Sequence, residues 1–158
     1  MKSVARIGVG IGGLCGLWTL VMGLTGWYRH PQLLNLFWVV IPIQAGVLVW
    51  GLRETAAGQG YTRQVAAGTL GSMLGGVILF FVSLLFTNVL FPRYFEELRA
   101  LHEGMLRAQG MSDALVRQTL AASAAVQTPF WNAFFGFFGT TVTGLVLSLA
   151  LAAFLRKR

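Results

Sequence analysis

The chain has 158 residues, of which 56% are hydrophobic and only 11% charged, with a mean hydropathy of +0.69. A water-facing domain carries about 25% charged residues, so soluble, disordered and collagen-like classes are excluded and a lipid bilayer is the expected solvent. The net charge of +7 does not point to nucleic acid, because the cations sit at the ends of apolar runs rather than along one face.

Charge-free stretches locate the spans in chain order. Residues 7–28, 31–52, 64–92 and 118–155 contain no Asp, Glu, Lys or Arg. A helix rising 1.5 Å per residue needs about 20 apolar residues to cross a hydrocarbon core of about 30 Å, and each stretch is long enough. Apolar runs such as residues 77–82 and 145–150 do not alternate, which rules out a transmembrane barrel. The expected architecture is an all-α integral membrane protein: a single domain over 1–158 with helices at about 5–28, 33–52, 64–91 and 129–155. Lys2 and Arg6 ahead of an apolar run resemble a signal peptide. The run ends in Trp27-Tyr28-Arg29-His30 without a small-residue cleavage site, so a retained first span is expected. Cys15 is the only cysteine and is read as a buried small hydrophobe.

Four spans put both termini on one side of the membrane. That side collects seven cations (Lys2, Arg6, Arg53, Arg63, Arg156, Lys157, Arg158), against five on the other, which also holds Glu96, Glu97, Glu103 and Asp113. The positive-inside rule then makes both termini cytoplasmic. The short joint at Arg29-His30-Pro31-Gln32 makes the first two spans antiparallel neighbours. The joint with Gly58, Gly60 and Tyr61 is a flexible turn. Trp27, Tyr28, Tyr94 and Trp131 are expected at one membrane interface, and Trp50 and Tyr61 at the other.

Between the third and fourth spans, Tyr94, Leu98, Leu101, Met105 and Ala108 form an apolar stripe at helical spacing. Arg99, Glu103 and Arg107 stand four apart on another face and are placed to pair. Gly110 is a natural helix stop. Ser112 is a natural N-cap for a second helix, with Asp113 in its first turn and Leu115, Val116 and Leu120 on its apolar side. An extracytoplasmic amphipathic helical hairpin over about 93–127 is expected, ended by Thr128-Pro129.

The order of spans resembles a bacterial membrane family without assigned activity, domain-of-unknown-function family 4199. Gly60-Tyr61-Thr62 before the third span, the pattern Phe95-Glu-Glu-Leu followed by Gly110-Met111-Ser112-Asp113, Thr128-Pro129, and the basic ending Leu155-Arg-Lys-Arg158 carry the likeness. The stretch from Ala114 to Val126 is more alanine-rich and less acidic than is usual there. The resemblance implies four spans and residence in the bacterial inner membrane, and implies no mechanism.

No Asp, Glu, Lys, Arg or His falls inside the expected spans, which argues against proton relays, voltage sensing and intramembrane metal chemistry. No spacing of His, Cys or carboxylates suits a metal, and Ser123 has no evident partner for nucleophilic catalysis; neither enzyme activity nor a cofactor is expected. The strongest positive signal is small residues four apart: Gly8, Gly12 and Gly16; Gly71 and Gly75; and Gly136, Thr140, Gly144, Ser148 and Ala152. Such ridges let helix backbones approach closely in lipid, either within the bundle or against a second copy or a larger membrane partner. Pro42, within the second span, is expected to free a carbonyl and permit a kink. Gln44 nearby would bond locally or across to another span, or line a polar pocket. Asn35, Asn88 and Asn132 are read as reaching water at span ends, and the Phe130–Phe138 aromatic run as lipid contact plus core. The functional expectation is a non-enzymatic packing, scaffold or accessory subunit. A transporter or binder of a small neutral or lipidic molecule is the alternative, and an interfacial enzyme using Glu96, Glu97, His102 or Glu103 ranks last.

Overall fold

The computed structural model describes residues 2–56 and 60–155. Gly58 of the second joint and the basic ending Arg156, Lys157 and Arg158 lie outside the described residues. Among those described, every regular element is helical: α1 (Lys2–Leu24), α2 (Val40–Ala56), α3 (Tyr61–Leu85), α4 (Tyr94–Ala108), α5 (Asp113–Ala124) and α6 (Pro129–Leu155). Four helical stretches are long and apolar enough to cross a membrane: Lys2–Leu24, Leu34–Glu54, Tyr61–Leu90 and Pro129–Leu155. Their outward faces are apolar too, with Phe81, Val146, Phe138 and Phe154 all more than half exposed, as expected where lipid replaces water.

Small residues dictate how the helices pair. A Cβ added at Gly8 would lie 2.7 Å from Leu74, and one at Gly12 would lie 2.6 Å from Ile78. In return, Gly71 and Gly75 receive Ile7 and Ile11. Residue numbers rise together along this seam, so α1 and α3 run parallel, each inserting aliphatic side chains into the other's glycine groove. The α3–α6 seam is antiparallel: Gly68 meets Ser148, Ser72 meets Gly144, and Gly76 meets Phe137. α3 is therefore the central helix. α2 packs on α1 antiparallel to it, with Gly51 against Ile7 and Gly10 against Val47. The core at this terminal end is Ile7, Ile11, Cys15, Val47, Leu48 and Leu52. There Arg6 also pairs with Glu54 at 3.0 Å, well exposed to solvent and so of little energetic weight.

At the other end the chain is less regular. α1 stops at Leu24, where Gly26 adopts a left-handed φ of 70° that reverses the backbone, and Trp27–Arg29 form a single tight turn. The stretch expected to be helical from 33 is a tight 3₁₀ segment over Leu34–Val39, and the α-helix begins only at Val40. Side chains of α1 hold this segment: Trp18 Nε1 donates to the Leu36 carbonyl at 2.8 Å, and Cys15 Sγ contacts the Val40 carbonyl oxygen at 3.6 Å. Pro42 consequently falls in the first turn of α2, and the change of helix type lies just ahead of this proline. α3 ends in a wide π-turn over Phe86–Leu90, with Phe91 N–H bonding the Phe86 carbonyl at 2.8 Å. Gly110, at φ 79°, follows α4, and Ser112 caps α5 by accepting from Leu115 N–H at 3.4 Å.

Candidate functional site

Between α2 and α6, at the end away from the chain termini, the helices part. The cleft has a volume of about 480 Å³, within the usual range for small-molecule sites. Phe37, Trp38 and Ile41 form one wall, Phe135, Gly136, Gly139, Thr140 and Thr143 of α6 the other, and Leu79, Val82 and Ser83 of α3 the back. No charged side chain lines it.

Glycines explain why it is open. Gly136 and Gly139 have nothing within 4 Å of where a Cβ would stand, whereas Gly144, one or two turns along the same helix, is in contact with Ser72. The small-residue series on α6 thus changes use along its length. At Gly144, Ser148 and Ala152 it is buried against neighbours; at Gly136 and Thr140 it is a cleft wall. Gly8, Gly12, Gly16, Gly71 and Gly75 all face the chain's own helices.

Polar groups are distributed along the cleft. Gln44, 3% exposed, donates from Nε2 to the Thr140 carbonyl at 2.7 Å and, more weakly, to Ser72 Oγ at 3.4 Å. These bonds tie α2 to α6 and α3 at the cleft's closed end. Pro42 does not line the cleft. Asn132, expected to reach water, instead donates from Nδ2 to Ser83 Oγ at 2.9 Å, joining α6 to α3 near the mouth. Asn88 folds back on its own helix, bonding the Leu84 carbonyl at 2.9 Å.

The rim is a separate aromatic cluster. Tyr28, Phe86, Tyr94 and Phe95 are buried together, and Phe86 and Tyr94 also line the cleft. Ring centroids lie 5.1 Å apart for Tyr28–Tyr94 and 5.3 Å for Phe86–Tyr94. Tyr28 and Tyr94 are 1% and 7% exposed, so these two rings, expected near a membrane interface, pack on one another, Tyr94 from the first turn of α4. Trp131, at 40% exposed, keeps an outward position.

A charged latch holds α4 there. Tyr28 donates its hydroxyl to Glu97 Oε2 at 2.5 Å, and Arg29 grips the same carboxylate through Nε at 2.8 Å and Nη2 at 3.1 Å. The Tyr28 hydrogen bond, reinforced by Arg29, holds the Glu97 carboxyl below its ordinary range, while partial burial opposes the shift. Burial pushes the Tyr94 phenol up to about 12. Farther along α4, Arg107 pairs with Glu103 at 2.9 Å, but Arg99 turns back to the Phe95 carbonyl at 3.2 Å. The expected triplet is therefore a pair. Ala108 and Leu115, placed on apolar faces from sequence, are exposed; Val116 is the buried residue of α5.

A second hollow near the termini, between α1 and α3, is bordered by Ser3, Val4, Leu70 and Leu74 and carries one charge, Arg63. Among the described residues, no group of three or more His, Cys, Asp or Glu could hold a metal ion. The site's chemistry is that of uncharged hydrogen bonding inside an apolar wall.

Comparison with curated proteins and with solved structures finds no match. The family model described as "Protein of unknown function (DUF4199)" matches residues 6–157, almost the whole chain, and the chain belongs to that family.

Proposed function

We propose that this is a non-enzymatic, multi-pass protein of the bacterial inner membrane that holds a neutral, lipid-soluble molecule in the cleft between α2 and α6. Seven of the twelve cations lie at or beyond the terminal ends of the spans, which supports cytoplasmic termini and an outer position for the hairpin of α4 and α5. The cleft then opens in the outer half of the bilayer. The single observation carrying this reading is the change in helix contact along α6: empty space beside Gly136 and Gly139, close packing at Gly144.

Binding is favoured over transport because, beyond Gln44, α6 is packed closely on α3 at the Ser72–Gly144 and Gly68–Ser148 contacts. The ridges at Gly8, Gly12, Gly16, Gly71 and Gly75 supply no argument for an oligomer or a larger membrane partner, since they are used within the chain's own bundle. Native mass spectrometry of the protein released from its membrane should find a discrete lipid-sized adduct, absent from Gly139→Trp, which fills the cleft. An adduct-free wild type, or an adduct retained by Gly139→Trp, contradicts the reading.

A further inference from the structure

Two side-chain amides line the cleft. Gln44 donates from Nε2 to the Thr140 carbonyl and Asn132 pairs with Ser83 Oγ. A carbonyl can only accept, so the Thr140 contact fixes which way the Gln44 amide faces, whereas the Ser83 hydroxyl can serve either half of Asn132. Gln44 Oε1 is therefore the half left over. No donor among the described residues reaches it, and it is not enclosed by protein as Ser148 Oγ is. The two threonines of the wall add to this. Thr19, Thr87 and Thr141 satisfy their hydroxyls on the carbonyl four residues back, at 3.0, 2.8 and 2.9 Å. Thr140 and Thr143 make no such bond, so their hydroxyls are free to meet a ligand.

A polar group left without a partner in an apolar site is costly, so the cleft favours a molecule that brings a donor to Gln44 Oε1. A carboxylate or phosphate would meet that carbonyl oxygen with no cation on the wall. An ammonium would find no carboxylate and would carry its charge into hydrocarbon. A ketone, ester or ether offers only acceptors, leaving Gln44 Oε1 unmatched. A hydroxyl satisfies Gln44 Oε1 and can accept from Thr143 in return. Asn132 to Thr143 spans eleven residues of α6, about 16 Å at 1.5 Å per residue, so the occupant is elongated.

Resting on the lipid-binding reading above, we propose that the ligand is a long-chain apolar alcohol whose hydroxyl sits between Gln44 and Thr143 at the blind end of the cleft. The test uses the full chain in phosphatidylcholine nanodiscs, labelled with a diazirine-bearing hexadecanol and competed with hexadecanol, its methyl ether, palmitic acid or hexadecylamine. Hexadecanol should displace the probe from α6 peptides at least about tenfold better than the methyl ether, the equivalent of one lost buried hydrogen bond. Gln44→Met should bring that preference close to unity. Thr143→Val, which removes no hydrogen bond of the folded chain, should weaken both competitors several-fold, since alcohol and ether alike can accept from Thr143, and should leave the preference in place. Equal competition by alcohol and ether would overturn the alcohol assignment and leave the cleft as a general lipid site. An alcohol preference intact in Gln44→Met would also overturn it, as would unchanged competition in Thr143→Val, and the absence of saturable labelling would overturn both readings together.

Discussion

The two halves of α6 are built from the same residue types and do opposite things. Near the termini, Gly144 of α6 and Gly68 of α3 bring those two helices together so closely that Ser72 and Ser148 occupy the space a side chain would need. Toward α4, Gly136 and Gly139 face a cavity. Where the partner helix is regular, glycine admits it and dispersion contacts hold the pair, as they must where lipid gives no hydrophobic drive. Where α6 instead faces the 3₁₀ segment Leu34–Val39, anchored to α1 through Trp18, that segment does not follow α6 and the same residue type leaves a hollow. A small residue creates the opportunity for contact; the regularity of the neighbour decides whether the contact is made.

The sharpest way to break this contrast is to add bulk on each side of Gln44. Gly144→Leu should cost about 3 kcal/mol or more through overpacking and abolish recovery of folded protein, whereas Gly139→Leu should leave the thermal midpoint in detergent unchanged while eliminating ligand binding. Next in size, Tyr28→Ala should destabilise by about 3 kcal/mol, since it empties the buried ring cluster beneath α4; Tyr28→Phe should lose only about 1 kcal/mol with the Glu97 hydrogen bond. Thermal unfolding followed by tryptophan fluorescence separates the two. Gln44→Leu, which removes the α2–α6 tie at the boundary between the halves, should cost about 1–2 kcal/mol by the same measurement.

The smallest effect concerns the latch. Glu97 has a lowered carboxyl pKa in the folded chain, so its contribution is complete above the unfolded value of about 4.3 and fades as pH falls through the lower folded value. Glu97→Gln should therefore lower Tm slightly at neutral pH, and the gap from wild type should narrow steadily as pH falls below the unfolded value. A gap that stays constant as pH falls would show that the loss is one of shape rather than charge.

Much of the architecture could be read from spacing. Charge-free gaps located four apolar helices because a charge at membrane depth is expensive, and the Gly110 stop and Ser112 cap were legible because local geometry demands those residue types. What spacing could not reveal is the use of each ridge. Gly136 and Gly144 occupy equivalent places in one series, and only the irregular neighbour distinguishes them. The Tyr28–Glu97 latch was hidden for another reason: its partners lie 69 residues apart in sequence, and an aromatic near a span end reads as a membrane anchor until its packing partners are known. Asn132 was assigned to water for the same lack of a visible partner. A signal did exist in Gln44, a strong hydrogen-bonding group amid an apolar run, but its free carbonyl became apparent only once the Thr140 acceptor fixed its amide.

Whether α6 borders an open cleft at one end and a closed seam at the other is most directly measured by single cysteines along α6 in a Cys15→Ser background, probed with a membrane-soluble maleimide in nanodiscs. Cysteine at Gly136 or Gly139 should react readily and be protected by a bound lipid, while cysteine in place of the buried Ser148 should stay unreactive. Reaction at Ser148→Cys equal to that at Gly139→Cys, or silence at both glycine positions, would contradict the account.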